Sequence, residues 1–302
     1  MIDMKSLLSL QGELFLLMAL GFFFRRRGIT GERFQKELAD LIIDLVLPCN
    51  IIDSFLVKFD GELLRATSAV LLVSVAIQIG CWGLAEVLYR RQPESKRAVL
   101  QYGTICSNAG FLGTPVAEGI FGSQGLLLSA VYLIPQRVAM WTLGVSFFTR
   151  STQEKMWKKV LLNPCIDAVF IGMVLLLTQV QLPAVLGNTI QAVGDSNTAL
   201  SMFLIGMIIA NIRWKDFIDP TILYYTVIRL GLIPLLTLLG CRLCGIGSLA
   251  TNVSVVLATM PAGGTTAILA AKYGGNAEFA AGCVTVSTLF SLVAIPLWCL
   301  VL

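Results

Sequence analysis

The chain of 302 residues contains no histidine. That removes the usual general base and the commonest metal ligand in one stroke. No HExxH and no Gly-x-Ser-x-Gly pattern occurs, and no convincing nucleophile–base pair can be built without an imidazole. An enzyme is therefore not expected, and no cofactor is called for. Charge is scarce as well. Asp, Glu, Lys and Arg make up 13% of the chain, about half the usual share in a soluble domain. No segment is polar enough to form a soluble domain of its own. Eight cysteines are present, but only Cys241 and Cys244 form a CxxC. With no second pair, a zinc site is not expected, and the cysteines read as small buried hydrophobes. The net charge of +4 does not signal nucleic-acid binding, because the basic residues flank apolar runs.

Apolar residues are abundant: 56% of the chain, with a mean hydropathy of +0.82. They fall in runs near the ~20 residues a helix needs to cross a bilayer. The first, Leu7 to Phe24, precedes Arg25, Arg26 and Arg27. A cleaved signal peptide has its basic residues first, so this run reads as a retained span. Ten helices are expected, near 6–24, 37–57, 64–89, 97–121, 124–149, 160–180, 187–210, 221–243, 248–271 and 276–301. The seventh is the weakest, since Asp195 and Asn197 lower its hydropathy.

Lysine and arginine orient the spans. The loops after odd-numbered spans carry Arg25, Arg26, Arg27, Arg33, Lys36, Arg90, Arg91, Lys96, Arg97, Arg150, Lys155, Lys158, Lys159, Arg213, Lys215 and Lys272. The opposite side carries Lys5, Lys58, Arg65 and Arg242. This asymmetry puts both termini outside the cytoplasm, in an inner (plasma) membrane protein that crosses many times.

A shift of 152 residues superposes the fourth span on the ninth, with Phe121-Gly122 meeting Tyr273-Gly274. Residues 1–150 and 151–302 then hold five helices each. Because five is odd, the second half inserts upside down, an arrangement typical of secondary transporters with a site at the repeat interface. Both matching spans are rich in helix breakers. The fourth reads Thr104-Ile-Cys-Ser-Asn-Ala-Gly-Phe-Leu-Gly-Thr-Pro115, the ninth Ala258-Thr-Met-Pro-Ala-Gly-Gly-Thr-Thr-Ala267. Proline removes a donor and clashes with the preceding turn; glycine costs about 1 kcal/mol against alanine in a helix. Small residues also serve close helix packing. Two such segments at equivalent depth favour unwound backbone, which is tolerated only where protein or water covers it. Half-helices that restart after a break aim free N–H groups and a positive dipole end at the gap, a ready anion site. Freed carbonyls would suit a cation.

Four segments carry a family resemblance. Asn108-Ala-Gly-Phe-Leu-Gly-Thr-Pro115 resembles the helix-4 motif of the auxin efflux carrier family. Met260-Pro261, then Ala271-Lys-Tyr-Gly274, resembles its helix-9 motif, and Leu47-Pro48-Cys49 and Met202-Phe-Leu-Ile-Gly-Met207 resemble pieces of helices 2 and 7. The resemblance, to bacterial malate- or malonate-permease-like members, implies an all-α integral membrane fold. Ten transmembrane helices would form two inverted five-helix repeats, with broken helices 4 and 9 crossing, as in bile acid:sodium symporters and sodium/proton antiporters. It implies that Asn108, Ala109, Gly110, Thr114, Pro115, Pro261, Ala262, Gly263, Gly264 and Thr265 line the substrate site. Plant relatives place a polar amide after the helix-9 proline. Here Ala262 follows, so only helix 4 brings an asparagine.

Charges at membrane depth are expensive and usually functional. Arg137 and Arg229 stand out, because arginine keeps its proton and needs an acid, a carbonyl cluster or an anionic substrate. Asp44, Asp53 and Asp195, the last followed by Ser196, Asn197 and Thr198, are coupling or charge-pair candidates; Glu13, Glu118 and Asp167 can equally be solvated at an aqueous mouth. The expected activity is secondary active transport of a small organic anion, a mono- or dicarboxylate, by alternating access. A proton or sodium gradient or the membrane potential would drive it. The alternative is a channel-like or receptor-like protein that binds a small anion without active transport. Expected partners are that anion and membrane lipid, with no nucleic acid. A coupling proton or sodium ion and a homodimer stay open.

Overall fold

A computed structural model describes residues 4–56, 61–140, 146–148, 164–210, 219–273 and 275–302. Outside these lie the end of the fifth expected span, the start of the sixth, and Lys58, Arg150, Lys155, Lys158, Lys159, Arg213 and Lys215. The described chain is nearly all helix. In order come α1 (Met4–Arg26), α2 (Glu32–Leu41), α3 (Leu47–Ser54), α4 (Gly61–Leu88), α5 (Glu94–Ile105), α6 (Thr114–Ala139) and α7 (Pro164–Thr178). There follow α8 (Ala184–Asp195), α9 (Asn197–Ile209), α10 (Pro220–Val227), α11 (Ile233–Leu243), α12 (Ser248–Ala258), α13 (Thr265–Lys272) and α14 (Ala277–Val301).

Several of these join end to end. Gly61–Leu88, Ala109–Ala139, Ala184–Ile209, Pro220–Leu243 and Ala277–Val301 are each long and apolar enough to cross a bilayer. Large apolar side chains on their outer faces, such as Leu72, Ile79, Val227, Leu239 and Val293, are exposed, as lipid contact requires. Within Ala109–Ala139 the helical path breaks at Gly122, where φ 64 and ψ −153 suit only glycine. The expected boundary between the fourth and fifth spans falls at this residue.

Three wide turns share one cause. The segments Ile42–Val46, Ala109–Gly113 and Ile228–Leu232 are π-helical, and each ends two residues before a proline: Pro48, Pro115 and Pro234. A proline ring clashes with the carbonyl four residues back. Widening the preceding turn moves that carbonyl aside. At Pro234 the displaced group is the Leu230 carbonyl, which accepts a 2.8 Å hydrogen bond from Trp298 Nε1.

A further joint separates α8 from α9 at Ser196, whose Oγ donates to the Val193 carbonyl at 2.6 Å. The seventh expected span is therefore hinged where its polar residues cluster. Elsewhere the packing is tight: α1 lies along α9, and a Cβ on Gly21 would land on the Phe203 carbonyl, one on Gly206 on the Met18 carbonyl. The buried apolar side chains form two cores. Ala109 and Met260 belong to one, Cys106 and Ala262 to the other. The two interrupted spans thus meet at the seam between them.

Candidate functional site

α5 stops at Ile105 and α12 at Ala258. In both segments the chain then runs extended for a few residues before helix resumes. The extended pieces pass each other antiparallel, with Ser107 opposite Ala262. The Asn108 N–H donates to the Pro261 carbonyl at 2.7 Å, and the Gly263 N–H donates to the Cys106 carbonyl at 3.1 Å. Pro261 can accept here though it cannot donate, which suits it to this side of the pair. Asn108, Ala109, Thr114, Pro115, Pro261, Ala262 and Gly263 are buried; Gly110, Gly264 and Thr265 are half-buried. The expected substrate-site residues are thus brought together at one crossing.

Side chains from three other elements hold it. Gln136 of α6 donates through Nε2 to the Ser107 carbonyl at 2.7 Å. It accepts through Oε1 from Ser107 Oγ at 2.9 Å. Arg229, 3% exposed, donates through Nε to the Met260 carbonyl at 2.9 Å. Ser287 of α14 accepts from the Ala262 N–H at 3.1 Å. Tyr102 donates to Thr265 Oγ1 at 3.1 Å. Gln136 and Ser287 were not foreseen from sequence, because an uncharged side chain in an apolar run gives no signal of its own.

The carbonyls of Cys106, Ser107, Met260 and Pro261 each accept one hydrogen bond from a protein donor, which leaves each a second lone pair. The helices that restart, at Ala109 and at Thr265, present their first-turn N–H groups to the gap. The helices that stop at Ile105 and Ala258 bring their C-terminal ends to the same place, so poles of both signs meet there beside the buried Arg229 guanidinium.

The charged candidates separate into groups. Arg229 finds a carbonyl rather than an acid. Arg137 is 8% exposed, and its Nη1 has no hydrogen-bond partner. It shares the surroundings of Cys165 with Asp44, which sits exposed on the wide turn before Pro48. The ion pairs found among the described residues lie elsewhere: Arg25–Glu32, Arg33–Glu37, Lys96–Asp219 and Arg97–Glu86. Asp53 and Asp195 lie within electrostatic reach of each other and of Glu118. Asn197 is fully buried; its Oδ1 accepts from Ser201 Oγ at 3.1 Å, while its Nδ2 lacks a partner.

The model of a family described as membrane transport protein matches residues 11–154 and 145–299. An uncharacterized transporter of Methanothermobacter thermautotrophicus is 26% identical over 295 residues, covering 95% of each chain. The uncharacterized transporter YfdV of Escherichia coli is 24% identical over 298 residues, 93% of each chain. A further uncharacterized transporter, from Methanocaldococcus jannaschii, is 23% identical over 293 residues, 94% of each.

Proposed function

This chain belongs to the membrane transport protein family, that of the auxin efflux carriers, and from that premise we propose that it is a secondary active transporter of a small organic anion. The substrate is a mono- or dicarboxylate, and the cycle is alternating access. Ten spans form two inverted five-helix halves, residues 1–150 and 151–302, in the plasma membrane with both termini outside. The observation that carries this reading is the paired crossing of the two broken helices, Asn108 N–H on the Pro261 carbonyl. A break in a spanning helix is costly in lipid, and two breaks stacked on each other are costlier still. Here they leave a gap beside the buried Arg229 guanidinium at the seam of two apolar cores.

The carboxylate binds the first-turn N–H groups at Ala109–Gly110 and Gly264–Thr265, with Asn108 orienting it and Arg229 setting the local charge. The channel-like alternative is less favoured because the crossing is closed by protein–protein hydrogen bonds rather than lined as a pore. A receptor-like role without transport is separated from carriage by kinetics. Purified protein in liposomes preloaded with unlabelled malonate should accumulate labelled malonate by counterflow, with saturation. Asn108→Ala and Pro261→Leu should abolish this while the protein still inserts and elutes as a folded species. Linear, non-saturating flux would identify a channel. Normal counterflow in both variants would remove the crossing as the binding site.

A further inference from the structure

The transporter reading leaves the driving ion open, and one side-chain group outside the crossing bears on it. Glu118 lies three residues beyond Pro115 on α6, the half-helix that restarts at the crossing. Facing it are Asp53 of α3 and Asp195, the last residue of α8. These two acids are the electrostatic neighbours of Glu118, and Asp195 is that of Asp53. The remaining charged groups on α3, α6 and the elements packed against them are Glu62, Arg65 and Glu86 on α4, Arg137 near the end of α6, Asp44 on the wide turn before α3, and the exposed Asp167 on α7. None of these is among the neighbours acting on Glu118 or Asp53.

The group is tied together by Asn50, which is 3% exposed. Its Nδ2 donates to the Gly194 carbonyl at 3.3 Å, and its amide also reaches the Glu118 carboxylate. Gly194 permits this: a Cβ there would sit 2.9 Å from the Asn50 Cα. Asn50 Oδ1 is buried with no hydrogen-bond partner. An orphaned acceptor beside carboxylates lacks a donor, and an ionised carboxylate cannot be one. A carboxylic acid can.

Resting on the carrier reading, we propose that Asp53, Glu118 and Asp195, with Asn50, bind the proton that couples transport. A proton taken from the outer water makes one carboxylate a carboxylic acid, whose O–H then donates to Asn50 Oδ1. This removes one negative charge from the interface between α6 and the α3–α8 pair, so the two sides can close. Release of the proton to water restores the charge and drives them apart. A sodium ion is the competing occupant, although among the described residues no group of three acidic or thiol side chains is close enough to hold a metal ion. The group also connects to the crossing. Next to Asp195, α9 begins with Asn197, and α9 packs on the wide turn Ala109–Gly113.

The first measurement needs no substrate; malonate counterflow is the second. The full-length protein in lipid nanodiscs is taken from pH 8 to pH 5 and followed by infrared difference spectroscopy in the carboxylic-acid C=O region. Wild type should show an acid-induced band. Glu118→Gln should remove most of it, and the milder Asp53→Asn should shrink it without abolishing it. A band unchanged in both variants would overturn the proposal. So would sodium chloride erasing the band at fixed pH where choline chloride does not, since sodium would then own the site. A flat spectrum with intact malonate counterflow condemns the proton site alone. Lost counterflow in every preparation, with the band intact, condemns the carrier reading instead.

Discussion

Arg229 and Met260 are joined by one hydrogen bond, 2.9 Å from Nε to the carbonyl oxygen, so a fixed positive charge closes the end of an interrupted helix. Met260 itself is fully buried. A hydrogen bond to a charged group contributes about 1.5–3 kcal/mol. Arg229→Leu should therefore lower stability by about that amount and abolish malonate counterflow. Arg229→Lys keeps the charge but not the planar fork, and should recover stability in part. Thermal unfolding in detergent and counterflow in liposomes measure the two effects.

Gln136 makes two bonds to one residue, Ser107. Replacing it with leucine leaves the Ser107 carbonyl without its donor at the crossing. We expect a loss of about 2 kcal/mol, from two bonds of about 1 kcal/mol each. Gln136→Glu should be no better than leucine at neutral pH, because a carboxylate oxygen would face the Ser107 carbonyl. A leucine variant as stable as wild type would show that the Nε2 donor is dispensable.

The contact of α1 with α9 relies on two missing side chains. Gly21→Ala or Gly206→Ala would drive a methyl into the backbone carbonyl of the other helix. Overpacking of this kind costs about 1–3 kcal/mol, and membrane helices depend on such small residues for close approach. Both single variants should melt at lower temperature. The double variant should fall short of the summed losses, since one displacement relieves both clashes.

Asp219 caps α10 through the Thr221 N–H at 2.8 Å and pairs with Lys96 at 3.2 Å. Partial burial pushes its carboxyl up, but the Thr221 N–H and the Lys96 ammonium outweigh this and hold it below the usual carboxylate range. A folded-state value below the unfolded one means the stabilisation is present above about pH 4 and is lost as pH falls through the folded value. Asp219→Asn keeps a good cap and removes the charge. Its melting temperature should trail wild type at pH 7, and the gap should close on acidification below about pH 4. Lys96 also lies over the Phe279 ring at 4.6 Å, so Lys96→Met should destabilise even where Asp219 is protonated.

The crossing was legible because its chemistry is local. Asn108, Pro115, Pro261 and Gly263 each disturb a helix by their own backbone properties, and ten residues of sequence display them together. Arg137 and Arg229 were legible for a similar reason, since a charge in an apolar run is conspicuous wherever it points. What Arg229 binds was not legible: the Met260 carbonyl is 31 residues away in sequence. The same holds for Gln136 on Ser107 and for Ser287 under Ala262, where neither partner is unusual alone. Glu118 looked like a residue at an aqueous mouth until Asp53 and Asp195 came to face it. Pro48, Pro115 and Pro234 announce a disturbance, but sequence does not say whether the helix will break, as before Ala109, or merely widen, as before Ile233.

The short antiparallel pairing of Ser107 with Ala262 has a mechanical consequence. Two bonds tie the tips, and parting them would strand two donors and two acceptors in a dry interior, each at a penalty of about 1–3 kcal/mol. Sliding one strand past the other carries the same penalty. The cheapest path for a working cycle leaves the knot tied and swings everything attached to it as a single lever. The bending must then fall at joints where the helix is already interrupted, such as Gly122 and Ser196, while the fulcrum never opens.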